Sequence, residues 1–210
     1  MEILQEISTL LQKGKAKDVE ALVEKALGDG INAKDILEQG LLDGMGIIGG
    51  KFKNNEVFVP EVLMAARAMN AGTTILKPHL ASADVTSAGK VVLGTVKGDL
   101  HDIGKNLVRM MMEGRGLEVI DVGIDVSAEK FVETAKTENA DIIACSALLT
   151  TTMGEVKTVV EAVEAAGIRD KVKIMAGGAP ITEAFCKSIG VDLYAPDAAS
   201  AAEEAVAACK

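Results

Sequence analysis

Aromatic residues are almost absent from this 210-residue sequence, which contains four Phe, one Tyr and no Trp. Hydrophobic residues nevertheless make up 49% of the chain, so a packed core is expected and disorder is excluded. That core must be aliphatic, built from Ala, Val, Ile, Leu and the nine Met residues. The scarcity of aromatic rings also disfavours a protein that stacks a flavin.

Cysteine is scarce as well, with three residues at positions 145, 186 and 209 and no C-x-x-C pair. Three thiols cannot all pair within one chain. A disulfide framework and a structural zinc site are therefore not expected.

Basic residues are outnumbered, because 22 Lys and Arg face 31 Asp and Glu for a net charge of −9. This balance argues against a nucleic-acid partner and against an anionic membrane surface. No apolar run approaches the roughly 18 residues of a membrane helix. The first residues, with Glu2 and Glu6, lack the basic segment of a signal peptide. We expect a cytoplasmic protein.

Residues 1–80 show helical periodicity and no strand-like run, as in the spacing of Leu4, Ile7 and Leu11. Four short helices with short connections indicate a small bundle. The first two expected helices contain the periodic positions from Leu4 to Leu11 and from Val19 to Ala26. The third runs from Ala33 to about Ile48, with Asn32 as N-cap and Gly49-Gly50 as its end, and the fourth from Pro60 to about Leu76, ending near Pro78.

The small and polar residues 81–89 are predicted to form a linker, after which strands alternate with helices. Continuously apolar strands in this alternation predict an α/β domain with a doubly wound, five-stranded parallel sheet of flavodoxin-like arrangement. We assign residues 1–88 to a helical bundle domain and residues 89–210 to a Rossmann-like domain. The expected strands are Val91–Val96, Leu117–Val122, Asp141–Ser146, Val172–Ala176 and Asp192–Tyr194. The expected helices are Gly104–Glu113, Ala128–Glu138 with Ser127 as N-cap, Met153–Ala166, Thr182–Ser188 and Ala198–Cys209.

Ligands of such sheets bind at the carboxyl ends of the strands, which directs attention to the loop from Lys97 to Gly104. His101 lies there, two residues after Asp99. One imidazole nitrogen could bind a metal while the other donates to the carboxylate, which would orient the ring. A solvated loop histidine is the alternative interpretation. No further ligand is spaced to complete a metal site, so a lone histidine suits a metal whose other positions a macrocycle fills.

Three short motifs at successive strand ends resemble the signatures of cobalamin-binding domains. Residues 99–104 fit Asp-x-His-x-x-Gly, residues 146–148 fit Ser-x-Leu, and residues 177–178 supply a Gly-Gly after the fourth strand. Residues 45–61 are similar to the helical cap that precedes this domain in methionine synthase and in corrinoid proteins of methyltransferase systems. The resemblance covers nearly the whole chain.

The resemblance implies a cobalamin bound base-off/His-on, with His101 as the lower axial ligand of cobalt. It makes Asp99 the hydrogen-bond partner of the far nitrogen of His101. Thr152 stands where methionine synthase has a serine that extends this relay, and it keeps the hydroxyl. Protonation or release of His101 is then expected to depend on the oxidation and methylation state of cobalt.

The resemblance also implies a slot for the displaced nucleotide tail, where Gly104, Gly177 and Gly178 allow close approach. Alternatively, Gly177-Gly178 is only a strand-to-helix turn. Further expected contacts are Ser146 on the benzimidazole, Leu148 packed nearby, Thr150 and Thr151 lining the same pocket, Lys105 facing solvent or the tail phosphate, and Phe52 and Val59 covering the upper cobalt face in place of the family's Phe and Leu. Packing within the bundle is the alternative for Phe52.

This pattern predicts a corrinoid carrier protein of one-carbon metabolism that moves a methyl group on cobalt. The implied partners are a substrate:corrinoid methyltransferase, a second methyltransferase acting on tetrahydrofolate or a thiol carrier, and a reductive activase. No motif that would activate a substrate is evident, so we expect a methyltransferase component and not a complete enzyme alone. Methanol, methylamines, betaines and methoxyaromatics all remain open as methyl sources.

Two other functions share the Asp-x-His-x-x-Gly signature. One is the cobalamin-binding subunit of a mutase, which generally lacks this helical cap. The other is a cobalamin-dependent sensor, which would need an effector domain.

Overall fold

The structure of the chain is a computed structural model that describes residues 2–80 and 87–209. Its contacts divide the chain into two compact units, Met1–Thr86 with Gly114–Gly116, and Ser87–Glu113 with Leu117–Lys210. We call them the helical unit and the sheet unit. The predicted linker lies outside the described residues as far as residue 86, and the assignment of domains to residues 1–88 and 89–210 stays a prediction.

The helical unit contains α1 (Glu2–Gln12), α2 (Ala16–Gly28), α3 (Ala33–Asp35), a π-helical segment (Ile36–Leu42), α4 (Asp43–Lys53) and α5 (Val59–Leu80). Aliphatic side chains such as Ile7, Val23 and Leu76 are fully buried, as the periodicity predicted. The Asn32 side chain accepts a hydrogen bond from the Lys34 amide at 2.8 Å, which confirms the predicted N-cap.

One predicted helix end is wrong, and another lies two residues before the observed end. Gly49-Gly50 does not end the third helix, because each glycine costs only about 1 kcal/mol in a helix and burial of neighbours such as Ile48 offsets it. The helix ends instead at Lys53, and Asn55, two residues further on, has a left-handed φ of 59°. Pro78 lies within α5, since a proline in the last turn removes a single hydrogen bond.

The sheet unit has five parallel strands in the order β2-β1-β3-β4-β5, which confirms the predicted flavodoxin-like sheet. Helices α6 and α10 contact each other, and so do α7 and α8. The elements are β1 (Lys90–Val96), α6 (Ile103–Glu113), β2 (Glu118–Val126), α7 (Ala128–Glu138), β3 (Ile142–Ser146), α8 (Glu155–Ala165), β4 (Lys173–Gly177), α9 (Glu183–Ile189), β5 (Leu193–Tyr194) and α10 (Ala198–Ala208).

Strand β2 runs four residues beyond its predicted end at Val122. Its pairing with β1 shifts register twice, around Gly94, and the shifts keep the strand paired as far as Val126. Positive φ angles at Gly123 and Asp125 accompany these bulges. The extension carries Asp125 to the carboxyl end of β1.

Alternate residues of the central strands face opposite sides of the sheet. Val92, Ile143 and Ile174 belong to the buried core that contains Phe131 of α7. Their neighbours in sequence instead line a cleft on the side of α6 and α10, described below. Within residues 2–80 and 87–209, no helix is both long and apolar enough to cross a membrane.

Candidate functional site

The carboxylate of Asp99 is the centre of a hydrogen-bond network just after β1, and it is fully buried. Its Oδ1 accepts from the His101 amide at 3.1 Å and lies 2.7 Å from His101 Nδ1. Its Oδ2 accepts from the amides of Leu148 at 2.8 Å and Leu149 at 3.3 Å, and from Thr152 Oγ1 at 2.8 Å. The structure therefore brings together the predicted relay of His101, Asp99 and Thr152.

These contacts determine the charge of Asp99 and the proton position on His101. Burial opposes ionisation of Asp99, but the hydrogen bonds from Leu148, His101 and Thr152 outweigh it and hold the pKa of that carboxyl well below its usual range. An ionised carboxylate only accepts hydrogen bonds, so Nδ1 of His101 carries the proton. In the neutral ring, Nε2 then has a free lone pair, and the side chain is 50% exposed.

A cleft of about 190 Å³ opens beside His101 between the sheet and helices α6 and α10. Small and aliphatic side chains dominate its walls, including Ala144 of β3 and Ala198 and Ala201 of α10. Six predicted site residues line it: His101, Gly104, Ser146, Leu148, Gly177 and Gly178. Among the hydrogen bonds of the described residues, none involves the Ser146 hydroxyl, which is free to meet a ligand.

The three predicted glycines differ in what a side chain would meet. A Cβ on Gly104 would meet no atom within 4 Å, so the fold itself leaves this space open. A Cβ on Gly177 would lie 3.1 Å from the Ala195 carbonyl oxygen. Gly178 has a φ of +131°, and a Cβ there would overlap the carbonyl of Ala147. The strand end therefore needs Gly178 whether or not a ligand is bound, whereas the fold places no atom where a Gly104 side chain would lie.

Other predicted residues are not brought to the cleft. Thr150 and Thr151 are exposed and lie outside its lining. Lys105 reaches the cleft wall, but the prediction that its charge faces solvent or a phosphate is wrong. The side chain is 3% exposed and its Nζ forms an ion pair with Asp121 of β2 and a 3.1 Å hydrogen bond to Asn106 Oδ1. A buried ammonium needs such a partner, which the sequence of α6 alone does not reveal.

Two residues that the motifs do not include also hold the loop after β1. Thr95, fully buried, donates through Oγ1 to the His101 carbonyl at 2.8 Å. Asp125 accepts from the Gly98 amide at 2.7 Å. The sequence could have indicated Thr95, because it places a hydroxyl in an otherwise aliphatic strand. No feature of the sequence indicates Asp125, because its position depends on the bulges of β2.

Phe52 and Val59 lie in the helical unit, and each is half-buried. Phe58, beside Val59, is 63% exposed. The expectation that Phe52 and Val59 cover the upper face of a cofactor stays a prediction.

The donor set fits cobalamin better than a metal ion held by protein ligands alone. Within residues 2–80 and 87–209, no three His, Cys, Asp or Glu side chains cluster to hold a metal. A single oriented imidazole suits a cobalt whose equatorial positions a corrin supplies. Exposed aliphatic side chains accompany His101, including Leu100, Leu148 and Ile103, which is 79% exposed. The fold and the site thus define a B12-binding protein.

Comparisons with known proteins agree. A family model described as a B12 binding domain matches residues 89–206, and a second model of the same description matches residues 3–77. The chain is 45% identical over 205 residues to a dimethylamine corrinoid protein of Methanosarcina barkeri, covering 97% of this chain and 96% of that protein.

Solved structures are similar over the whole chain. The methanol:cobalamin methyltransferase complex of Methanosarcina barkeri matches with a TM-score of 0.89 and 30% identity, covering 99% of this chain and 80% of the matched one. A cobalamin-binding protein of Desulfitobacterium hafniense matches with a TM-score of 0.82 and 30% identity, covering 98% of both chains. The chain belongs to the corrinoid proteins of methylamine and methanol methyltransferase systems. The predicted fold class and the predicted role in carrying methyl groups are confirmed.

Proposed function

We propose that the sheet unit binds one cobalamin base-off/His-on and that the chain carries a methyl group between two methyltransferases. The observation that carries the proposal is the pairing of His101 with an ionised, buried Asp99 beside an open apolar cleft. Cobalamin, when bound, supplies a cobalt centre that accepts and releases a methyl group. The side chains and backbone groups of this protein would bind and orient that cofactor.

His101 would bind cobalt through Nε2, the nitrogen that Asp99 leaves unprotonated. Asp99 fixes the ring orientation and increases the donor strength of Nε2 by accepting from Nδ1. Thr152 and the amides of Leu148 and Leu149 keep that carboxylate ionised and in place. These donors come from the loop after β3, whereas Asp99 and His101 lie in the loop after β1. The ends of two neighbouring strands therefore determine the orientation of His101.

The cleft would hold the displaced nucleotide base. Its apolar walls favour an aromatic ring system over bulk water. The unpaired hydroxyl of Ser146 would pair with a ring nitrogen, and the open space at Gly104 admits the tail. Gly177 and Gly178 let the backbone approach closely. Phe52 and Val59 would shield the upper face and move aside for a partner.

The names of similar proteins support a small methylated substrate for the partner enzyme. The relative from Methanosarcina barkeri is named for dimethylamine, and one similar structure is a complex with a methanol:cobalamin methyltransferase. We propose a methylamine as the methyl source of this chain and a substrate-specific methyltransferase as its docking partner. A second methyltransferase would pass the methyl group to a thiol carrier or tetrahydrofolate. A reductive activase would reduce cobalt that has become oxidised.

Electron paramagnetic resonance of the cobalt(II) protein tests the ligand. The spectrum should show one axial nitrogen, and its hyperfine splitting should change when the protein is labelled with ¹⁵N-histidine. The chain has two histidines, so His79→Ala is the matched control for His101→Ala. The label-sensitive splitting should persist in the control and vanish in His101→Ala. A splitting that does not respond to the label, or a response to the label that persists without His101, would refute His-on binding.

Methyl transfer tests the carrier role. Cobalamin-loaded, reduced protein should be methylated by a purified methyltransferase specific for dimethylamine, and faster than by one specific for methanol. If no methyltransferase specific for a mono-, di- or trimethylamine or for methanol methylates the loaded protein, the carrier proposal is refuted. If the methanol enzyme is faster, the proposed substrate class is refuted and the carrier role stands.

A further inference from the structure

Two hydrogen bonds join Asp125 of β2 to the loop that contains His101. The Gly98 amide donates to Asp125 Oδ1 at 2.7 Å, and the Asp125 amide donates to the Asp99 carbonyl at 3.0 Å. The two bonds enclose the peptide link between Gly98 and Asp99. They therefore hold the backbone at the residue whose carboxylate orients His101.

Asp125 has an uncommon backbone conformation, with a φ of 52°. This left-handed conformation costs a residue other than glycine about 1–2 kcal/mol. It lies at the bulged end of β2, where the register with β1 has just shifted. The conformation allows the amide and the carboxylate of one residue to reach the same loop.

The rest of the loop leaves this contact without a substitute. Thr95 holds the His101 carbonyl, and the Asp99 amide donates to Val96 at 3.1 Å. Gly98, between these points, has a φ of +78° and the conformational freedom of glycine. Among the described residues, the Gly98 amide has no hydrogen-bond acceptor other than the Asp125 carboxylate.

We propose that Asp125 is a positioning residue, which holds Gly98 and Asp99 so that the Asp99 carboxylate faces Nδ1 of His101. The inference rests on the proposed function, because it takes His101 as the cobalt ligand. It predicts that the Asp125 carboxylate strengthens cobalt ligation although it touches neither cobalt nor His101.

Asp125→Gly tests this role without adding strain, because glycine accepts the left-handed backbone and keeps the amide bond to Asp99. Asp125→Asn keeps an acceptor oxygen and should rescue the function. Asp141→Ala is the matched control, since the exposed Asp141 carboxylate also accepts one backbone amide, that of Lys90, at 2.7 Å. That bond lies at the opposite end of the sheet.

The readout is the pH at which His101 detaches from cobalt(II), followed by the axial nitrogen splitting. Loss of one hydrogen bond should weaken ligation about three- to tenfold, and so raise the detachment midpoint by about half to one pH unit. Asp125→Asn and Asp141→Ala should stay near wild type. In the apoprotein, exchange of the Gly98 amide hydrogen, measured by NMR, should accelerate in Asp125→Gly alone.

The outcomes separate the two proposals. A wild-type protein without axial nitrogen from His101 refutes the proposed function. A wild-type protein with it, combined with an unchanged midpoint in Asp125→Gly, refutes the positioning role alone. Equal shifts in Asp125→Gly and Asp141→Ala also refute it, because they indicate general loosening of the sheet. Unchanged exchange at Gly98 refutes the role even if a variant fails to bind cobalamin.

Discussion

Gly104→Ala should make the apoprotein more stable and its cobalamin binding weaker. Gly104 is the second residue of α6, and a Cβ there meets no protein atom within 4 Å. Replacing glycine by alanine in a helix stabilises by about 0.5–1 kcal/mol when nothing collides. The melting temperature should rise by roughly 1–4 °C, given about 2–4 °C for each kcal/mol in a chain of this size.

The bound state should respond in the opposite direction, because the new methyl group enters the space proposed for the nucleotide tail. Overpacking a filled site by one methyl group costs about 1–3 kcal/mol, which corresponds to roughly five- to 150-fold weaker binding. Cobinamide, which lacks the nucleotide, is the matched ligand and should bind Gly104→Ala as it binds wild type. Titration followed by absorbance measures both affinities.

Gly178→Ala is the matched variant, and we expect it to destabilise the apoprotein that Gly104→Ala stabilises. Its Cβ would overlap the Ala147 carbonyl, and its φ of +131° disfavours any side chain. The apoprotein should therefore lose stability, and both corrinoids should bind less well. If Gly104→Ala raises the melting temperature and binds cobalamin and cobinamide as wild type does, the tail does not pass Gly104 and the assignment of the cleft is refuted.

Three further predictions concern charge and shielding. The lowered pKa of Asp99 means that its carboxylate stabilises the apoprotein fully above the unfolded value of roughly 3.9 and loses this contribution as the pH falls through the folded value. Asp99→Asn should therefore cost about 1–3 kcal/mol in urea unfolding at pH 7 and less at pH 3, whereas equal costs would contradict the reasoning. Lys105→Met should cost less than the about 3–5 kcal/mol of a fully broken buried pair, because the Arg109 guanidinium remains 3.3 Å from the Asp121 carboxylate. Adding Asp121→Asn should recover part of that cost, and an unchanged urea midpoint in Lys105→Met would refute a stabilising ion pair between Lys105 and Asp121. Phe52→Ala should speed photolysis of the bound cofactor while the matched change at the exposed Phe58 does not, and equal rates would mean that Phe52 only packs in the bundle.

The contacts that could be predicted from the sequence were those that the local chain decides or that a family motif carries. The pairing of Asp99 with His101 spans two residues, so the local chain decides it. Thr152 lies 53 residues from Asp99, and only its resemblance to the family motif predicted their hydrogen bond. Asp125, 27 residues from Gly98, belongs to no motif and was missed.

The sequence by itself determined the order of the elements, the five-stranded parallel sheet and the cobalamin class, because hydrophobic periodicity and short motifs are local properties. Only the tertiary structure decided that Lys105 is buried, since its ion pair needs Asp121 from β2 across the β2–α6 contact. It also decided that the fold requires glycine at position 178 and leaves open space at Gly104. Ala147 occupies the space where a Cβ on Gly178 would lie, whereas the space beside Gly104 is open, and atoms from other strands and helices decide this difference. The pairing register of the strands places those atoms, and no single segment of the sequence determines that register.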